Sequence, residues 1–308
     1  MGRLIPLVVA LAACAINSPA SAETGTDNAV ILKPSSPWHV DYADQKCTLA
    51  REFDVGNAKH ILLFSQVGPT PRFGLIAAGS SFKGFTPSRG IQHRFGNIVE
   101  KDRAPLLGDY SGFGPALVYS ATTLEAAKDA IAKSASQARS MEANRTDTLP
   151  LRFPSIDIDL ALQVDGVTFS QGKQVVLFQT GNLAKPFEAL NKCIEDLAAS
   201  KGIDIDKHRE FSREVRWTNI FEIAQRLQRS YVRGPSRGRE SGIFGVFVIV
   251  DEAGGLAECH IEGLTVAESL TSPACKEMKR AKFEPALDIN GVPMKSFLTT
   301  TMSYRASP

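Results

Sequence analysis

Asp157, Asp159 and Asp165 lie close together in the run SIDIDLALQVDGVTF, and clustered carboxylates are what general acid/base or calcium chemistry requires. Their spacing argues for a plainer role. Alternation along a strand places Asp157 and Asp159 on one solvated face and Ile156, Ile158 and Leu160 on the core face. A calcium loop needs further oxygen ligands and a glycine in set order, which this run lacks. The histidines at 39, 60, 93, 208 and 260 are scattered. Only His260 stands beside a cysteine, Cys259, and neighbours on a strand point to opposite faces, so neither a metal site nor a cofactor is expected. There is no Gly-x-Ser-x-Gly elbow, no His-Glu-x-x-His and no phosphate-cradling glycine loop, and Gly79-Ser80-Ser81 reads as a turn beside a strand. The expectation is a non-enzyme, with a secreted enzyme of unrecognised type as a distant alternative.

Cysteine chemistry depends on compartment. Residues 1–22 carry Arg3, an apolar run over residues 4–16 and the small-residue end Ala20-Ser21-Ala22. This is the grammar of a secretory signal peptide cleaved after Ala22, with an apolar run below the ~18 residues that span a bilayer. The expected location is the periplasm; Leu11-Ala12-Ala13-Cys14 supports the alternative of a lipoprotein acylated at Cys14. Cys47, Cys193, Cys259 and Cys275 then remain, an even set that favours two disulfides in an oxidising compartment. Of three connectivities, the simplest keeps each bridge within its own domain: Cys47 with Cys193, and Cys259 with Cys275.

Between residues 207 and 239 the chain has nine Lys or Arg against three acidic residues. Arg226, Arg229, Arg233, Arg237 and Arg239 could touch anionic lipid or cell-wall polymer weakly, whereas export disfavours nucleic acid. Ile220, Ile223, Leu227 and Tyr231 at helical spacing make the segment an amphipathic helix whose other faces must be polar in any case.

These residues need positioning elements. The chain has 308 residues, 43% hydrophobic and 22% charged with net charge +2, which suits two ordinary globular domains and excludes a disordered tail or a dedicated nucleic-acid binder. A polar lead-in over residues 23–37 is expected to be mobile. Residues 38–204 read as a β-rich α+β domain with covering helices, beginning WHVDYADQKCTLAREF and turning at Val67-Gly68-Pro69-Thr70-Pro71. Thr122 and Glu125 form a capping box for an alanine-rich helix over 124–142. A second helix has Pro186 in its first turn, Phe187, Leu190, Cys193, Ile194 and Leu197 on its buried face, and Gly202 past its end. Residues 205–241 form the basic helix and linker.

From Gly242 the pattern sharpens. Phe244, Val246, Val248 and Val250 alternate, residues 251–255 turn the chain, and residues 256–263 return as a second strand. Ser272 and Pro273 are placed to start a helix that FEPA ends, and a last strand follows over 295–305. The ordered set of Gly242, Phe283, Pro285, Ala286, Gly291 and Pro293 resembles the C-terminal domain of TonB-like proteins over the last 70–95 residues, about. The resemblance implies a small two-layer α/β unit with an antiparallel sheet over residues 242–308, in which Phe283 anchors a helix end, Pro285 stops it and Gly291-x-Pro293 turns into the last strand. It also implies peptide capture by strand addition. No comparable likeness marks residues 38–200.

The family's energy transducers have a retained membrane helix and a long proline-rich spacer; here a cleavable leader and a folded domain stand in their place. The expectation is therefore an exported binding or assembly module that contacts an envelope protein, with a TonB-related subunit for outer-membrane transport as the alternative. The expected contact is the edge of the last strand at Phe297, Thr299, Thr301 and Ser303. In this reading the threonines and serine form a polar outer face while Leu298, Met302 and Tyr304 hold the strand on the core.

Overall fold

A computed structural model describes residues 29–86, 89–100, 104–124, 151–233, 242–265 and 268–304. The leader with Cys14, the expected helix over 124–142 apart from Leu124, and Arg237 and Arg239 lie outside these residues. The fold is β-rich with few helices, which is compatible with the α+β class.

The first part of the chain builds one eleven-stranded sheet. Its strands are β1 (Ala29–Pro34), β2 (His39–Ala43), β3 (Lys46–Val55), β4 (Ala58–Gln66), β5 (Phe73–Gly79), β6 (Gln92–Phe95), β7 (Ile98–Glu100), β8 (Leu106–Tyr110), β9 (Gly114–Thr122), β10 (Val167–Gln171) and β11 (Gln174–Phe178). The order runs β7-β6-β10-β11-β1-β3-β4-β5-β9-β8, with β2 alongside β3. Strands β3 to β5 are apolar on both faces because both are covered. Leu62, Leu75 and Leu117 face one cluster, and Ile61, Ile76 and Val118 face another. Into the first cluster packs the helix α2 (Ala184–Ser200), which follows a one-turn helix α1 (Ile158–Ala161). Phe187 of α2 meets Phe64 edge-on at 5.0 Å, and Phe53 meets Phe178 at 5.0 Å. A disulfide joins Cys193 on α2 to Cys47 on β3, both almost fully buried.

Beyond α2 come β12 (Phe211–Arg213), β13 (Arg216–Trp217), the helix α3 (Ile220–Arg233), β14 (Gly242–Val250), β15 (Leu256–Thr265), the helix α4 (Glu268–Met278), and β16 (Phe283–Glu284), β17 (Ala286–Asp288), β18 (Pro293–Met294) and β19 (Ser296–Tyr304). The strands β15-β14-β19 form an antiparallel sheet. Phe244, Val246, Val248 and Val250, one face of β14, share a core with Ile223, Leu227 and Tyr231 of α3 and Ala274 and Met278 of α4. The turns at Asp251 and Asp288 are built alike. Each aspartate Oδ1 accepts backbone N–H bonds from residues two and four ahead, and Gly254 (φ +82°) and Gly291 (φ +78°) supply the left-handed residue.

Several expectations need correction. The lead-in is partly a strand: β1 pairs in parallel with β11 and Leu32 is fully buried, a partner too distant in sequence for local composition to reveal. Asp157 and Asp159 do not share a strand face. Asp157 caps α1, its carboxylate accepting the Leu160 N–H, so a local side-chain bond overrides the alternation. Helix α4 begins at Glu268, with Pro273 inside it rather than at its first position; the proline's fixed φ is helical, but it gives up the bond to the carbonyl four residues back. It ends at Met278, well before Pro285, and Phe283 instead pairs as a strand with Trp217. Ile220 is exposed rather than part of the buried stripe of α3.

Candidate functional site: the edge of the C-terminal sheet

Strand β19 pairs with β14 along its whole length, from Val250 opposite Ser296 to Gly242 opposite Tyr304. No other described strand pairs with its far side, so a row of backbone donors and acceptors is left there. The sequence SFLTTTMSY carries no charge and is rich in threonine, which favours an extended backbone. The opposite edge, β15, differs. It bears Glu258 and Glu262, its pairing with β14 shifts register twice, and Cys259 ties it to Cys275 of α4. Charges and irregular register both blunt an edge, so of the two edges of this sheet β19 is the better suited to pair again.

The two faces of β19 have different surroundings. Leu298 and Met302 pack on the helix-covered core, as expected. Phe297 faces the other way, into a cluster with Phe247 and Ile249 of β14, Ala198 and Ile203 at the end of α2, and Val67, Phe153 and Ile205. This apolar seam joins the small sheet to the first part of the chain. The expected polar outer face is therefore only partly wet: Thr301 is exposed, whereas Thr299 is half-buried and its Oγ1 is closed off from solvent without a hydrogen bond. The side chain of Ser303 lies outside the described ones.

His208 holds the start of β19. It is fully buried, stacks on Phe297 at 5.6 Å, and also touches Phe211 and the edge of Phe153. Its Nδ1 lies 2.7 Å from the Asp204 carbonyl oxygen and its Nε2 2.8 Å from Ser296 Oγ. A carbonyl only accepts, so Nδ1 carries the proton and Nε2 accepts from the hydroxyl. Burial holds the His208 pKa below the ordinary histidine value. One residue before Ser296, the Lys295 ammonium donates to the Lys201 carbonyl oxygen at the end of α2.

The remaining residues singled out in the sequence are spread across the molecule. Gly242 opens β14 opposite Tyr304. Phe283 and Ala286 are buried in the helix-covered core, the Pro285 carbonyl accepts from Arg213, and Pro293 starts β18 opposite Leu287. Cys259 turns to the helices, and His260 to the other face, where it stacks near Phe247 and donates from Nε2 to Glu258. Several of the cations are engaged: Arg213 and Arg216 with Glu284, and Arg226 with Glu222. Arg226 and Arg229 line a surface cleft of about 560 Å³ with Ser230 and Glu277.

Sequence reasoning missed the paired His60 and Ser81. His60 is fully buried, with Nε2 2.8 Å from Ser81 Oγ, but the backbone N–H of Ser81 also points at Nε2, which makes the imidazole an anchor for the turn after β5. The two residues lie far apart in sequence, and no local spacing announces the pair. Among the described residues, no three His, Cys, Asp or Glu side chains gather as a metal site, and no helix is long and apolar enough to cross a membrane. No protein-family model, curated protein or solved structure matches the chain.

Proposed function

We propose that this chain is an exported, non-enzymatic binding or assembly module of the cell envelope, which captures an extended segment of an envelope protein as an added strand beside β19. The observation that supports it is the uncharged, nine-residue edge of β19, which among the described residues has a strand neighbour on one side only. Strand addition draws on backbone hydrogen bonds, so such an edge needs no pocket and no catalytic group. The leader and the two disulfides favour an oxidising compartment outside the cytoplasm. The TonB-like order of residues from Gly242 to Pro293 supplies the precedent for the C-terminal unit and its mode of contact.

Thr300→Pro and Thr301→Pro test this as a pair, because consecutive residues of a strand turn their N–H groups alternately to the neighbour and to the open side. One proline breaks the ladder to β14; the other removes a donor from the open edge alone. The variant that keeps the wild-type circular dichroism and denaturation midpoint should no longer retain the envelope protein recovered by the wild type in a pull-down. Undiminished retention by that folded variant would refute strand addition at β19.

A further inference from the structure

His208 sits where three things meet: the turn at residues 204–208 that follows α2, the apolar seam, and the first residue of β19. We propose that it is a proton-operated latch. Neutral, it closes the seam and seats Ser296; protonated, it lets go, so that the beginning of the edge strand opens in mild acid.

An imidazolium at this position would meet a site already matched to the neutral ring. Both ring nitrogens are already satisfied in the neutral form, one by a carbonyl and one by a hydroxyl. A proton added to Nε2 turns that nitrogen into a donor, so the Ser296 hydroxyl must swing round to accept. Its own hydrogen then needs a new acceptor in a site where Ser296 is only 3% exposed. The elements packed against the ring bring Phe153, Phe211, Phe297 and Ser296, none of which offers a negative charge. The nearby charges belong to its own turn. The Asp204 carboxylate favours the imidazolium but is engaged by the Lys207 backbone N–H and ammonium, and Lys207 itself opposes it. Lys295, on the adjoining element, has its ammonium held at the Lys201 carbonyl. A buried cation with no partnering anion is expelled rather than accommodated.

The consequence follows from position. Opening at His208 unstacks Phe297 and frees Ser296, the residue from which β19 enters the sheet. The latch rests on the strand-addition reading only for what it regulates: it makes the edge, and the seam behind it, responsive to acid.

Hydrogen exchange on the intact protein tests it without any partner. Protection factors, corrected for the intrinsic effect of pH on exchange, are compared at pH 7.5 and 5.0. Residues 204–211 and 295–299 should lose protection by about tenfold to thirtyfold relative to β10, β11 and α2, since a freed imidazole of pKa about 6.5 takes up its proton over that range. His208→Gln, which keeps an amide donor and acceptor, and His208→Phe, which keeps the ring, should each remove this difference. Unchanged protection in the wild type at pH 5.0, or the same loss in a folded variant, would overturn the latch. So would a His208 imidazole resonance that titrates at or above pH 6.5 in the wild type. Partner capture at pH 7.5 tests strand addition separately, so the latch stands or falls on exchange even where capture fails.

Discussion

Gly68, in the connection between β4 and β5, lies directly under the small sheet. A Cβ built there would fall 2.3 Å from Phe247 Cδ2 and 2.8 Å from Thr299 Oγ1. Gly245 on β14 reciprocates, since its Cβ would meet Val67 at 2.8 Å. Gln66 fixes the connection from below by donating to the carbonyls of Thr70 and Arg72. Gly68→Ala should therefore lower stability by about 1–3 kcal/mol in urea denaturation through overpacking of the seam. Gly108→Ala, where nothing lies within 4 Å, should change it little. The pair separates close approach from backbone entropy. Acid acts at this scale too. His60 and His208 are both held below the ordinary histidine pKa by burial, so the unfolded chain binds more protons than the folded one. The stability they contribute is complete above pH of about 6.5 and declines as pH falls from there toward the folded-state values. Urea midpoints measured from pH 7.5 to 5 should fall, and fall less steeply in His60→Gln.

The two disulfides each fasten a helix to a strand, and they differ in reach. Cys259 and Cys275 are 16 residues apart, Cys47 and Cys193 146 apart. In the chain-entropy account, replacing the first pair by serine should cost about 3 kcal/mol and the second about 5, before strain is considered, read as shifts in the denaturation midpoint. Much at this scale is legible from sequence. The buried stripe Phe187, Leu190, Cys193 and Ile194 places α2 and points Cys193 inward, where Cys47 waits; the alternation from Phe244 to Val250 places β14 and its core face. What escapes are elements decided by something other than local periodicity. Strand β1 exists because β11 is beside it. The turn at Asp157 is helical because one carboxylate meets one amide, and Phe283 is a strand because Trp217 pairs with it. The same limit hides the second face of the small sheet: Phe247, Ile249 and Phe297 read as ordinary strand residues until the end of α2 arrives against them.

At the scale of the molecule, the described residues pack into two large cores bridged by the cluster of Ala198, Ile203, Phe247 and Ile249. A fragment of residues 206–308 would uncover Phe247, Ile249 and Phe297 together. It should bind a hydrophobic dye such as ANS several-fold more per mole than the intact protein, about as expected when a core face becomes surface; equal binding would mean the seam is dispensable. If the leader directs export as proposed, mass spectrometry of the mature protein should find Glu23 as its first residue, and an acylated Cys14 would mark a lipoprotein instead. The pairing of the cysteines has one more implication, which concerns time. With Cys14 removed in a cleaved leader, a chain that emerges from its N-terminus would present Cys47 first and Cys193 next, then Cys259 and finally Cys275, and the bonds join first to second and third to fourth. An oxidant that simply couples each cysteine to the next one to appear therefore makes the native set. Maturation should accordingly proceed at full yield without a disulfide isomerase, and the long wait of Cys47 for its partner, while 146 residues pass, is the step at which a premature encounter would do harm.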